Sequence, residues 1–185
     1  MKVNLNSAFL AFSLMFSMSL SAQNTLNILE SSLKWEGKKI TGSGHNGSLT
    51  FFDSQVKIED GNIISGVFTV DMTTLTCDDL TADQGKANLE GHLKSNDFFA
   101  VEKFNTATLA ISSVDNNNAT GTLTIKDISH PIKFTLIKNQ DVYNASLVFD
   151  RSKYDIRFNS GSFFENLGDK LILNEIELTA ELRLK

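Results

Sequence analysis

Residues 89–104 read LEGHLKSNDFFAVEKF, and this stretch separates two blocks in which apolar and polar residues alternate. Such alternation is typical of half-buried β-strands, and it stops here. Upstream, Asp78 and Asp79 predict the N-cap of a helix. The apolar positions that would share one face of this helix are Leu80, Ala87, Leu89 and Leu93. We therefore expect a short helical insertion near residues 79–99, followed from residue 98 by two adjacent phenylalanines.

On both sides of this insertion the chain consists of short strand patterns at hairpin spacing. Polar clusters at residues 59–62 and 115–118 predict hairpin turns, and Asn46-Gly47 predicts a further turn or bulge. The clearest run of apolar residues against charged or polar neighbours is Ile176, Leu178, Ala180, Leu182 and Leu184. About eight or nine strands without a βαβ rhythm predict an all-β, antiparallel fold. Some eight strands in a meander close into a barrel that can hold one small ligand; a two-sheet sandwich remains an alternative.

The composition predicts one globular domain. Of 185 residues, 41% are apolar, 21% are charged and one is proline, so the core is sufficient and the strand patterns are almost uninterrupted. The net charge of −5 argues against a nucleic-acid partner, because phosphate binding needs a basic surface.

The first residues predict a signal peptide over residues 1–22 and a mature barrel domain over residues 23–185. Lys2 precedes an apolar run over residues 8–20, which is shorter than the ~18 residues of a membrane span. Cleavage would leave no integral membrane span. Cys77 is the only cysteine, so no internal disulfide can form, and we expect it to be a small buried residue; an intermolecular disulfide stays open.

The segment GHLKSNDFF at residues 91–99 resembles the signature of the YceI-like family, the polyisoprenoid-binding, lipocalin-like proteins of bacterial periplasms. Four further matches in the family's order are GSGHNGSLTF at 42–51, VDMTTL at 70–75, GTLTIK at 121–126 and FDRSKY at 149–154. Together they cover nearly the whole mature chain. The family usually has glycine where this chain has Asp155, and Gly-x-[ST] where it has residues 127–129. Both departures fall in turns, so they concern local loop shape.

The resemblance implies a hollow, lipocalin-like barrel in the periplasm or secreted, which binds a long apolar ligand for transport, storage or protection. The ligand would be a polyisoprenoid, an isoprenoid quinone, or a fatty acid or amide, with no cofactor beyond such a bound lipid. From the residues alone, the fourteen phenylalanines fit a filled barrel as well as a hollow one. The sequence also leaves a homodimer open. The predicted tunnel lining is Trp35, Phe51, Phe68, Leu109, Leu123, Phe134, Phe149 and Leu178.

Five further side chains are candidates at the tunnel ends, beginning with the adjacent rings of Phe98 and Phe99, which would form a lid or plug. His45, His92 and Lys94 would face the ligand head group at a polar mouth.

Arg151 is the most informative charge. It could lock the barrel by an ion pair with Asp150 or Asp71, or it could contact a ligand phosphate or carboxylate, which arginine binds bidentately.

No pattern in the sequence predicts catalysis. His45, His92 and His130 show no metal-ligand spacing, and His130 precedes Pro131 in an expected turn, so no metal is expected. Serines lack a G-x-S-x-G elbow. We therefore expect a binding protein and not an enzyme. The alternatives are an enzyme acting on an isoprenoid or lipid in the same tunnel, and a ligand-free structural barrel.

Overall fold

The computed structural model describes residues 24–185; the predicted signal peptide, residues 1–22, lies outside this range. Eight antiparallel strands follow one another in chain order, and the first pairs with the last to close a barrel. They are β1 (Ser32–Lys39), β2 (Gly44–Glu59), β3 (Asn62–Cys77), β4 (Thr106–Asp115), β5 (Asn118–Ile125), β6 (Ile128–Asn139), β7 (Val142–Asp150) and β8 (Ile172–Arg183). The predicted all-β, lipocalin-like barrel is confirmed, and the sandwich alternative is excluded.

The alternation of each strand sets which side chains point inward. In β8, Leu178 and Leu182 face the interior while Glu177 and Glu181 are exposed, so the charged face is solvated. Closure places Leu178 opposite Trp35 of β1 and removes unpaired sheet edges. The barrel interior is therefore the apolar core of the protein.

One end of the barrel is closed by the chain that precedes β1. Leu26, which is 1% exposed, pairs with Leu184 and donates its N–H to Ser54 Oγ at 2.7 Å. The turns after β2, β4 and β6 lie at this end, and Tyr143 donates its hydroxyl to the Gly61 carbonyl at 2.7 Å. The cavity described below must therefore open at the opposite end.

The opposite end carries the two long connections. Between β3 and β4 lie a 3₁₀ turn (Ala82–Gln84) and the helix α1 (Lys86–Lys94), and the β7–β8 connection contains two further 3₁₀ turns (Arg151–Tyr154 and Gly168–Lys170). The helical insertion was predicted in the right place. Within residues 24–185, no helix has the length and apolar character that a membrane span requires.

The predicted N-cap at Asp78 and Asp79 is wrong. β3 runs on to Cys77, so both carboxylates lie at a strand end, and α1 begins only after Gly85, which has a φ of 88°. The N-cap of the preceding 3₁₀ turn is Thr81 instead, whose N–H donates to the Gln84 side chain at 2.9 Å.

Asn46-Gly47, predicted as a turn or bulge, forms no turn, because both residues lie inside β2, opposite β1. The register of β2 with β3 shifts just after them, between Ser48 and Thr50. Gly47 is needed for close approach: a Cβ there would lie 1.8 Å from the Thr76 carbonyl oxygen. Likewise, His130 and Pro131 belong to β6 and not to a turn, since the chain reverses at residues 126–127. His130 is half-buried, with Nε2 3.0 Å from the Lys153 carbonyl oxygen.

Candidate ligand-binding site

The barrel encloses a cavity of about 240 Å³ lined by side chains from all eight strands. The lining is almost entirely apolar because most inward positions of the strands are Leu, Ile, Val, Phe or Ala. All eight side chains predicted to line a tunnel contribute to it: Trp35, Phe51, Phe68, Leu109, Leu123, Phe134, Phe149 and Leu178. The barrel is therefore not completely filled by its own side chains.

The mouth of the cavity lies at the hairpin between β1 and β2. Among the lining residues, Lys39, Ser43 and Gly44 are exposed, and all three belong to this hairpin. Phe98 and Phe99 line the cavity at the same end, with their ring centroids 6.5 Å apart. Phe98 is buried and Phe99 is half-buried. The Phe98 ring also packs on His92 of α1 and on Phe158, with centroids 5.1 and 5.4 Å away.

Arg151 lines the cavity as a buried cation, 1% exposed. Its Nε, Nη1 and Nη2 donate to the carbonyl oxygens of Leu173, Ile156 and Ile172 at 3.0, 2.9 and 3.1 Å. Its Cζ lies 5.9 Å from the centre of the Phe98 ring. Burial lowers the pKa of Arg151 to about 10, opposed by Asp150, so the group is charged at neutral pH.

The ion pair predicted for Arg151 is not formed. The Asp150 carboxylate accepts instead from the N–H and hydroxyl of Ser152 at 2.9 and 2.6 Å, which starts the 3₁₀ turn at Arg151. Asp71 accepts from the N–H and hydroxyl of Thr73. Arg151 thus ties the start of β8 to the end of β7 through carbonyl oxygens, which sequence patterns do not reveal.

Of the three residues predicted at a polar mouth, His45 lines the cavity, whereas His92 and Lys94 do not. The inward face of α1 is formed by Leu89 and Leu93, so the intervening side chains turn away from the interior. The His92 ring packs on Phe98 and Phe158, with centroids 5.1 and 4.5 Å away. The placement of His92 and Lys94 in the mouth was therefore wrong.

A polar cluster that sequence reasoning missed surrounds His45. Its Nδ1 lies 2.9 Å from Asp79 Oδ2, and the thiol of Cys77 donates to Asp79 Oδ1 at 3.1 Å. Burial, together with the bond to Asp79, raises the pKa of the Cys77 thiol. The thiol contacts the carboxylate and not the imidazole, so this is not the nucleophile–base arrangement of a cysteine hydrolase.

Asp79 is the hub of this cluster. Burial by itself would raise its pKa, but hydrogen bonds from the Asn46 N–H, His45 and Cys77 outweigh burial and lower the pKa to about 2. The carboxylate is therefore ionised throughout the physiological range.

Replacing Asp79 with asparagine is expected to lower the free energy of unfolding by about 1 kcal/mol at neutral pH, after discounting for solvent screening of an exposed carboxylate. Because the folded pKa is depressed, this contribution is present above pH ~4 and is lost as the pH falls toward 2. Urea unfolding at several pH values measures it. A stability difference between the two proteins that does not shrink below pH 4 would contradict the assignment.

A closed, eight-stranded antiparallel barrel with an apolar cavity that opens at one end is a lipocalin-like barrel. The model of the YceI-like domain matches residues 25–184, and the chain belongs to the YceI-like family.

Known proteins and solved structures are similar to this chain. A UPF0312 protein of Staphylococcus aureus is 28% identical over 148 residues, which cover 73% of this chain and 82% of the relative. BcnA of Burkholderia cenocepacia has the same fold, with a TM-score of 0.63 at 19% identity, covering 86% of this chain and 99% of BcnA. A polyisoprenoid binding domain from Saccharophagus degradans matches with a TM-score of 0.59 at 12% identity, covering 88% of this chain and 97% of that domain.

Proposed function

We propose that the protein binds a long-chain apolar ligand in the barrel cavity, for transport, storage or protection in the cell envelope. The candidates are a polyisoprenoid, an isoprenoid quinone, and a fatty acid or amide. The observation that carries the proposal is the cavity of about 240 Å³, to whose largely apolar lining every strand contributes. The polyisoprenoid binding domain of Saccharophagus degradans, which shares the fold, supports it.

The size of the cavity limits how much of the ligand it holds. Its volume lies just below the ~300–1,000 Å³ of ordinary small-molecule sites. About ten buried methylenes would contribute roughly 8 kcal/mol, which is comparable with the ~4–15 kcal/mol lost on association. A full polyisoprenoid needs more space. We therefore assign Phe98 and Phe99 as a lid or plug that must move to extend the cavity toward the helical connection.

The head group would lie near Arg151 and His45, two of the charged or polar side chains that line the cavity at its mouth end, where Lys39 and Ser43 also lie. A buried guanidinium strongly favours a carbonyl, carboxylate or phosphate oxygen, because charge-assisted hydrogen bonds are the strong ones. In this proposal Arg151 takes the place of His92 and Lys94, which the sequence predicted at the mouth beside His45. It also retains the ligand contact that was one of the two predicted roles of Arg151.

The location follows from a separate part of the chain. The predicted signal peptide over residues 1–22 directs the barrel to the periplasm or the medium. Such a carrier would hold in aqueous surroundings a ligand that otherwise stays in a membrane.

Replacing Ala145 with phenylalanine is expected to weaken ligand binding at least about tenfold, because excluding two methylenes removes about 1.6 kcal/mol. Ala145 lines the cavity from the middle of β7, between Leu136 and Ala180. The matched control is Ser146→Phe, one residue along the same strand and exposed on the outer surface. It should bind like the wild type.

The measurement is native mass spectrometry of protein purified without detergent, followed by titration with a long-chain prenol and with a quinone. A discrete apolar adduct that either compound displaces is the expected result. If the protein carries no adduct and binds neither compound nor a fatty acid, the barrel is a structural module and the proposal is wrong. Conversion of the bound lipid to a new product would contradict the binding proposal and favour the alternative of an enzyme.

A further inference from the structure

Three ligating side chains of different chemistry converge at the rim of the cavity, where β2 begins and β3 ends. One imidazole nitrogen of His45, Cys77 Sγ and an Asp79 carboxylate oxygen all lie within 4.8 Å of one another. The chain brings them together because Gly47 of β2 pairs with Cys77 of β3, and the Asp78 N–H donates to the Asn46 carbonyl at 2.8 Å.

These separations are close to those that a tetrahedral zinc ion requires. With Zn–S near 2.3 Å and Zn–N and Zn–O near 2.0–2.2 Å, neighbouring ligand atoms stand roughly 3.4–3.6 Å apart. In the protein, Sγ lies 3.1 Å from Asp79 Oδ1, and His45 Nδ1 lies 2.9 Å from Asp79 Oδ2. These two contacts reach different oxygens of one carboxylate, so an ion between the three groups requires the side chains to move slightly apart until one carboxylate oxygen, Sγ and an imidazole nitrogen all face it.

We propose that His45, Cys77 and Asp79 bind a zinc ion at the mouth of the barrel. On binding, Sγ, Nδ1 and one carboxylate oxygen form bonds to Zn²⁺, the thiol proton leaves to solvent, and the remaining imidazole proton occupies Nε2. Three protein ligands leave one position of a tetrahedral ion for water or a ligand oxygen. His45 also lines the cavity, so the ion would lie beside the apolar interior.

The surroundings are already arranged to hold such ligands. The Asn46 N–H donates to Asp79 Oδ1 at 2.9 Å, and the Cys77 N–H donates to Glu90 of α1 at 2.9 Å. These bonds orient the carboxylate and the cysteine backbone as an outer shell of ligands does at known zinc sites. A combination of thiolate, imidazole and carboxylate suits zinc better than calcium or magnesium, which prefer oxygen ligands alone. The site does not depend on the proposed lipid ligand.

The experiment is a titration of the reduced protein with Co²⁺, whose absorption reports thiolate ligation and tetrahedral geometry, followed by displacement with Zn²⁺. The variants are Cys77→Ser and His45→Gln, with His92→Gln as the matched control. His92 is a half-exposed histidine at the same end, 3.4 Å from the Asp97 carboxylate and outside the cluster. Circular dichroism establishes that each variant is folded.

We expect a thiolate-to-cobalt band in the wild type that disappears in Cys77→Ser. Loss of an outer-shell partner lowers metal affinity about 10–100-fold. In both cluster variants the zinc affinity should fall by more than this, and in His92→Gln it should be unchanged. His45→Gln alters no core residue, so it decides the matter even if the cysteine variant folds poorly. Absence of the band in the wild type overturns the proposal, and so does zinc binding that survives both cluster variants or is lost in the control.

Discussion

Replacing Arg151 with methionine is expected to lower the free energy of unfolding by about 3–6 kcal/mol, a large part of the ~5–15 kcal/mol of a typical domain. The three carbonyl oxygens that accept from the guanidinium would lose their donors in a buried place, at about 1–3 kcal/mol each. An apolar side chain can replace a buried charged one without loss of stability only when the groups that the charge contacted are replaced as well. Here those groups are backbone carbonyls, which remain in every variant.

The matched control is Arg157→Met on the same connection. Arg157 is 59% exposed and pairs with Asp155, and exposed pairs contribute about 0–1 kcal/mol. Urea unfolding of both variants measures the difference. If Arg151→Met costs less than about 1 kcal/mol, the carbonyl contacts do not hold the β7–β8 connection. Arg151→Lys separates the two roles of the residue, since lysine retains the charge but cannot present the planar fork to three carbonyls.

Replacing Gly47 with alanine is expected to cost about 3 kcal/mol or to prevent folding, because a single methyl group collides with backbone. The added Cβ would lie 1.8 Å from the Thr76 carbonyl oxygen and 2.7 Å from Trp35 Nε1. To remove this collision, β2 and β3 would have to separate. Trp35 Nε1–H donates to the same carbonyl at 3.0 Å, so the separation would also affect that hydrogen bond. The same separation would pull His45 away from Cys77 and Asp79, so any partly folded variant should also lose the cluster.

The control substitution is Gly91→Ala in α1, where an added Cβ meets nothing within 4 Å. It should raise stability by about 1 kcal/mol, since alanine is the better helix former. Thermal and urea unfolding compare the two. Equal behaviour of Gly47→Ala and the wild type would mean that the strands can move apart at this point without loss.

The inward-facing residues of the barrel were predictable because they depend on local alternation. Phe51 and Leu178, for example, belong to runs whose period of two assigns them to the apolar face, and both line the cavity. The helical insertion was predictable for the opposite reason, since the alternation stops there. His92 and Lys94 were misplaced because a nine-residue helix with a weak apolar pattern does not define which face meets the barrel.

The resemblance to the YceI-like family implied a closed barrel, which the structure confirms. The sequence patterns by themselves determined an all-β antiparallel fold of about eight or nine strands, the residues whose side chains face its interior, and the position of the helical insertion. These follow from hydrophobic alternation and turn chemistry, which act between neighbours in the chain. Only the tertiary structure decided the partners of Arg151, the meeting of His45, Cys77 and Asp79, and the opening of the cavity at the β1–β2 hairpin. Those features join residues far apart in the chain, so they depend on strand register and on closure of the barrel, which local patterns do not encode.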